Sequence, residues 1–133
     1  MKNCIFCKIV SGEAESLKVY EDDLTFAFMD KSNEVDGHIL VIPKKHCKSI
    51  LDCDEETLCA LVKSVKKICR HLIDKCGYDG VNLLNASEES AGQSVPHFHI
   101  HIIARKNGDG IDAWPKFSGA TQNINEVFDK VKM

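Results

Sequence analysis

The chain has no apolar run long enough to cross a bilayer, where about 20 consecutive apolar residues are needed. It has no excess of basic residues either: 17 Lys and Arg stand against 20 Asp and Glu, a formal net charge of −3. That balance argues against sequence-independent binding to a nucleic-acid backbone, which rests on many cations neutralising phosphates. It leaves room for a local pocket that takes a small nucleotide. No internal repeat, low-complexity tract or interior linker divides the 133 residues. The expectation is therefore one domain, 1–133, with a single substantial core. The opening Met-Lys-Asn-Cys-Ile-Phe-Cys-Lys lacks the apolar stretch and cleavage site of a signal peptide. The seven cysteines are an odd number, and most fall in helical pattern, which speaks against a disulfide framework. Free thiols in that number point to a reducing cytoplasm.

What the chain does have is concentrated between Gly92 and Arg105. His97, His99 and His101 alternate with Phe98, Ile100 and Ile102, the period-two pattern of a strand with two unlike faces. The apolar face belongs in a core. The other face carries three imidazoles, the side chain best able to act near neutral pH as nucleophile, acid, base or metal ligand. Three readings are open: a solvated face, a metal site and a site that attacks phosphate. The lead-in Gly92-Gln93-Ser94 favours phosphate, because a tight turn offers backbone N–H groups, a hydroxyl and an amide to anionic oxygens. Pro96 fixes φ where the strand should start. Arg105, past its far end, reads as a solvated end charge.

The remaining elements follow in order. Cys4 and Cys7 have the spacing of two thiolate ligands to one metal. They are alternatively two buried, inert cysteines; a redox pair is disfavoured because no strand precedes Cys4. Residues 18–30 read as two short strands around Glu21-Asp22-Asp23, with Val19 and Phe28 in the core. Asp30 is either a turn former or a carboxylate for a cis-diol. Gly37 to Pro43 reads as a central strand buried on both faces, headed by His38. Asp52 to Cys76 reads as one long helix. Leu58, Leu61, Val62, Val65, Ile68, Cys69, Leu72 and Ile73 form its apolar stripe, Asp52 and Glu55 a capping box, and Gly77 the stop. Gly80 to Asn85 is a strand that pairs antiparallel with the histidine strand; the Asn85 amide either orients substrate or closes a turn. Asn107 to Gly110 is a turn, Trp114 stands alone, and residues 123–131 form a short terminal helix. The sum is an α+β fold: an antiparallel sheet of about five strands, one long helix and a short C-terminal helix.

The stretch Gly-Gln-Ser-Val-Pro-His-Phe-His-Ile-His-Ile-Ile resembles the signature of the histidine triad (HIT) family. The likeness extends to Cys4-Ile5-Phe6-Cys7-Lys8-Ile9, Val19 to Asp22, Phe26 to Asp30 and Gly37 to His46, and so covers most of residues 3–105. The branch it most resembles is the nucleoside phosphoramidase-like one, whose bacterial members carry the Cys-x-x-Cys start. The resemblance implies that His99 attacks the α-phosphorus of a purine nucleotide and forms a nucleotidyl-histidine, with the His97 carbonyl holding the far ring proton. It implies that His101 and Ser94 contact the phosphate or leaving group. His38 would stand close by, and Gly92, Gln93, Ser94 and Val95 would stabilise the phosphoryl oxygens. Asp30 would meet the ribose, and Phe28 and Val19 the base. Cys4, Cys7, His46 and His97 would hold a structural zinc. A homodimer is implied, with a tail, 106–133, that shapes specificity. Phosphoramidates or aminoacyl-adenylates are the expected substrates, with dinucleoside polyphosphates next. Two rival readings use the same residues: a catalytic zinc on the three histidines, and a non-catalytic nucleotide-binding scaffold. The chain departs from its relatives at Glu13 to Leu17, which lacks their proline, and at Lys31, where an apolar residue often lines the base pocket.

Overall fold

A computed structural model describes residues 3–32 and 34–133. Five strands form one antiparallel sheet in the order β1-β2-β3-β5-β4: β1 Lys18–Glu21, β2 Thr25–Met29, β3 His38–Pro43, β4 Gly80–Leu84 and β5 Ile100–Arg105. The all-buried β3 lies in the middle, as its unbroken aliphatic run requires. Three α-helices accompany the sheet: α1 Ile5–Ser11, α2 Glu55–Asp74 and α3 Ile124–Val131. The architecture is α+β, as the pattern implied.

The sheet has two covered faces. On one, α2 lays Leu61, Val65, Ile68 and Leu72 against Ala27, Ile39, Val41, Phe98, Ile102 and Ala104. On the other, Phe6 and Ile9 of α1 pack on Phe26, Phe28, Leu40 and Ile42. Leu40 pairs with His101 across β3 and β5, and opposed residues of an antiparallel pair point to the same side. The histidine face is therefore the α1 face. The chain spends its polar strand face not on open solvent but on a half-covered cleft.

Several expectations need correction. Helix α1 was not legible as a helix, since seven residues are too few to show helical periodicity. Its N-cap is Cys4, whose sulfur accepts from the Cys7 N–H at 3.4 Å. Helix α2 is shorter than Asp52 to Cys76, and its N-cap is Asp54, which accepts from the Thr57 N–H at 2.8 Å. Asp52 instead accepts from the Lys48 and Ser49 N–H groups, so the capping box is absent. Val62 is 57% exposed, and Ser64 is buried in the stripe, its hydroxyl bonded to Thr25 at 2.7 Å and to Asp22 at 3.0 Å. Val19 is not core: an irregularity between Lys18 and Tyr20 drops it from the β1–β2 register, and it is 38% exposed. Arg105 is not a solvated charge, because Asp109, Asn82 and the Ile111 carbonyl occupy its guanidinium. Cys47 and Cys53 are brought side by side, with Cα atoms 5.3 Å apart, and the other five cysteines are free.

No helix among the described residues is long and apolar enough to cross a membrane.

Candidate active site and metal centre

The strand β5 begins only at Ile100. Pro96 therefore does not start it. The His97 N–H turns back to the Val95 carbonyl at 2.8 Å, and the Phe98 N–H reaches the Cys47 carbonyl at 2.7 Å. This approach segment gives His97 and His99 different directions.

His97, fully buried, turns toward the N-terminus of the chain. Its Nδ1 lies 3.3 Å from Cys4 Sγ, 3.6 Å from Cys7 Sγ and 3.1 Å from His46 Nδ1, and Cys7 Sγ lies 3.3 Å from His46 Nδ1. Four donors on one tetrahedral zinc, with bonds of about 2.0 to 2.3 Å, sit roughly 3.3 to 3.8 Å apart. The observed edges match that tetrahedron or fall slightly inside it. The His97 Nε2–H donates to the Pro43 carbonyl at 2.8 Å, which leaves Nδ1 bare and aimed at the cluster. Such a bond from the other ring nitrogen is the usual support of a metal-bound imidazole. Without a cation, burial and the neighbouring Cys4 push the Cys7 thiol up. Two thiolates and two neutral imidazoles are a donor set that fits zinc and leaves no open position.

His99 sits on the other side of this segment, 6% exposed. Its ring nitrogen Nδ1 is 2.7 Å from the His97 carbonyl. A carbonyl only accepts, so Nδ1 carries the proton and Nε2 keeps its lone pair. The Asn85 amide donates to the His99 carbonyl at 2.8 Å. The ring of Phe6 stands edge-on to His99 with centroids 5.2 Å apart.

His101 and His38 are joined, Nδ1 to Nε2, at 2.8 Å. His38 Nδ1 is buried with no hydrogen-bond partner among the described residues, and an orphaned buried N–H is the rarer of the two ways to leave such an atom. The His38 proton is therefore assigned to Nε2, donated to His101 Nδ1, and His101 keeps its own proton on Nε2. Burial pushes His101 down to about 4, with smaller effects from His99 and His38, so it is neutral at physiological pH. Asp30 Oδ2 is 3.6 Å from His38 Nε2, and Oδ1 accepts from the Ser32 N–H at 2.7 Å. Burial alone would raise the Asp30 carboxyl; the Ser32 hydrogen bonds outweigh it and the net shift is downward.

A cleft of about 390 Å³ joins these groups. His99, His101, Ser94 and Val95 form one end, Asp30 a flank, and Ile5, Phe6, Ile9, Phe28 and Leu40 an apolar wall; Lys31, Glu15 and Ser16 stand at the lining too. An apolar slot beside a carboxylate and a row of imidazoles can take a flat ring, a diol and a phosphate in that order.

Not every residue singled out from the sequence lies here. Val19 borders a different, shallow groove with Lys44 and Glu21. Asn85 is absent from the cleft lining and serves through its bond to the His99 backbone. Gln93 is spent on the loop: its amide nitrogen donates to the Lys48 and Val95 carbonyls and its oxygen accepts from the Glu88 N–H. The Gly92 and Gln93 N–H groups bond back to Glu89 and Glu88, so neither amide points at a phosphate. The three histidines do not converge on one metal: among the described residues, His97 groups with Cys4, Cys7 and His46, and His101 with Asp30 and His38. The catalytic-zinc reading loses its geometry. Sequence reasoning missed the apolar wall from α1, although Ile5, Phe6 and Ile9 were visible beside the cysteines.

Comparison with known proteins places this geometry among relatives. The HIT domain matches residues 11–108. The chain is 45% identical over 131 residues to an uncharacterized HIT-like protein of Methanocaldococcus jannaschii, covering 97% of this chain and 98% of that one. It is 34% identical to the adenosine 5'-monophosphoramidase of Schizosaccharomyces pombe, covering 98% and 99%. The crystal structure of a zinc-bound histidine triad family protein from Mycobacterium smegmatis superposes with a TM-score of 0.80 at 34% identity, covering 84% of this chain and 81% of that one.

Proposed function

The chain belongs to the HIT family, and from that premise we propose that it is a nucleotide hydrolase acting at the α-phosphate of purine nucleoside phosphoramidates or related adenylates. The observation that carries the reading is the 2.7 Å contact between His99 Nδ1 and the His97 carbonyl. It keeps the lone pair of Nε2 available beside a cleft of nucleotide size. A neutral imidazole so held is a nucleophile.

The base lies against Phe6, Ile9 and Phe28, and Asp30 accepts from the ribose hydroxyls. His99 Nε2 attacks the α-phosphorus, and the bond to the leaving amine breaks. The leaving amine nitrogen takes its proton from the His101 Nε2–H. The His97 carbonyl steadies the cation that forms on His99, since it already holds the Nδ1 proton. Ser94, at the same end of the cleft, hydrogen-bonds a phosphoryl oxygen. Water then attacks the phosphorus of the nucleotidyl-histidine and returns a proton to His101 Nε2, the bond from phosphorus to His99 Nε2 breaks, and His99 is released neutral. When bound at Cys4, Cys7, His46 and His97, zinc supplies rigidity only. The protein works in the cytoplasm as a homodimer. Supporting the second copy are the exposed apolar residues Trp114, Phe117, Ile124 and Phe128 and the open edge strand β4 with Leu83.

Steady-state rates on adenosine 5'-phosphoramidate and on diadenosine polyphosphates, with acid-quench trapping of an adenylyl group on His99, test this reading. A strong preference for polyphosphates would overturn the substrate class. Absence of any trapped adduct, with a slow and saturable nucleotide affinity alone, would leave a binding protein instead.

A further inference from the structure

The donor atoms of Asp30, His38 and His101 converge. His38 Nε2 lies 2.8 Å from His101 Nδ1 and 3.6 Å from Asp30 Oδ2, and one ligand atom from each residue falls within 4.8 Å of the others. We propose that these three side chains form a second, exchangeable site for a divalent transition metal of the zinc type, and that an ion held there shuts the cleft.

Two imidazoles and one carboxylate, with further positions left open, suit zinc and its neighbours in the first transition row. Ligands about 2.0 to 2.2 Å from one ion stand roughly 2.9 Å apart at right angles and roughly 3.4 Å apart in a tetrahedron. The two observed separations bracket that range, and the third, between Asp30 and His101, is no more than 4.8 Å. Asp30 and His101 both line the cleft, so the remaining positions of the ion face it, within reach of water or an anion.

The same surroundings make this the weaker of the two sites. An ion on His38 Nε2 displaces the hydrogen from that atom, and the ring must then carry its proton on Nδ1, which is buried and has no acceptor among the described residues. His97 has the opposite arrangement, its second nitrogen bonded to the Pro43 carbonyl. Support of that kind is worth on the order of 10- to 100-fold in metal affinity. The Cys4, Cys7, His46 and His97 cluster therefore fills first and empties last. Ion binding does not depend on the hydrolase reading; only its effect on turnover does. There, the ion takes Asp30 from the ribose and replaces the hydrogen bond between His38 and His101.

The test uses protein loaded with one equivalent of zinc and titrated with Co²⁺, which binds a given nitrogen, oxygen or sulfur site less tightly than zinc and so leaves the zinc-filled first site alone. Visible absorption and calorimetry follow the titration. The expected result is one further equivalent, at least about tenfold weaker than the first, whose spectrum has no thiolate-to-cobalt charge transfer. Asp30→Asn and His38→Gln each abolish it, with circular dichroism confirming that at least one remains folded, and AMP added beforehand weakens it. A protein that takes no second ion overturns the proposal. So does a second ion with thiolate charge transfer, which would place it on exposed Cys59 or Cys76, or one retained by both variants. Undiminished phosphoramidate turnover with the second ion bound overturns the shutting of the cleft. A complete lack of turnover in the singly loaded protein counts against the hydrolase reading, and the titration still decides the site.

Discussion

His97 offers its ring to one site and its carbonyl to another. Nδ1 stands among Cys4, Cys7 and His46, while the carbonyl of the same residue accepts from His99 Nδ1 at 2.7 Å. The Cys4, Cys7, His46 and His97 cluster and the His99 ring are thus separated by a single residue's backbone. Whatever fixes the His97 ring also fixes the acceptor that sets the His99 tautomer.

The first prediction concerns His99. The variant His99→Gly should fold, since it removes a ring from the cleft wall rather than from the packed layer under α2. Its turnover of adenosine 5'-phosphoramidate should fall by at least about 10⁴-fold, with AMP affinity kept within a few-fold by calorimetry. Turnover at the wild-type rate would exclude the covalent route.

Removing zinc should loosen the fold before it stops the chemistry. Chelation, or Cys7→Ser, is expected to lower the melting temperature, and added zinc should restore it after chelation. Turnover of the stripped protein, assayed well below its melting point, should drop by no more than about 10- to 100-fold, the range seen when support around an active group is lost. Immediate and complete loss while the protein stays folded would revive a catalytic metal.

Asn85→Ala tests whether the His99 backbone needs its side-chain support. The lost bond from Asn85 Nδ2 to the His99 carbonyl should cost about 1 kcal/mol in urea unfolding. Because Asn85 does not line the cleft, kcat should fall several-fold while KM stays unchanged. A rise in KM alone would mean that the amide meets substrate.

Gly37→Ala should destabilise the protein by about 1 to 3 kcal/mol through overpacking. A Cβ there would stand 2.6 Å from the Cβ of Ala104, whose N–H donates to the Gly37 carbonyl at 2.8 Å. Adding Ala104→Gly should recover most of the loss in denaturant midpoint. A single variant as stable as wild type would contradict the close approach of these two backbones.

Acid should destabilise the fold in a defined window. Burial pushes both His97 and His101 down to about 4, whereas an unfolded histidine takes a proton near 6.5. Between those values the unfolded chain holds more protons, so stability rises with pH. The contribution is complete above about pH 6.5 and is lost as pH falls toward 4. Protons also compete with zinc for His97, in the same direction. Melting temperatures of zinc-free protein from pH 7 to 4.5 should show the fall, and His101→Asn should flatten it. A melting temperature constant over that range would contradict neutral buried imidazoles.

Much of the fold was readable because its signals are local. Alternation at 98–102 marks a two-faced strand, the unbroken Ile39 to Ile42 run marks the middle of the sheet, and the α2 stripe predicts the helix that covers it. The misreadings share a cause. Asp52 and Asp54 are both sound N-caps by residue type, and only the path of the Lys48–Ser49 turn decides which one caps. Gln93 has the chemistry to bind phosphate, but the Lys48 carbonyl, 45 residues away in the chain, already takes its amide.

The sequence by itself determined that three imidazoles would stand in a row beside an apolar layer, and that two thiols would stand near the chain's start. Only the tertiary structure decided that the row divides. The first ring turns to meet Cys4, 93 residues distant, and the Pro43 carbonyl, 54 residues distant. The second bonds to the backbone of the first, and the third to His38, 63 residues distant. The physical reason is that an imidazole's role depends on which nitrogen holds the proton. That is set by whichever acceptor the fold brings within about 3 Å, and a local pattern carries no record of such distant neighbours.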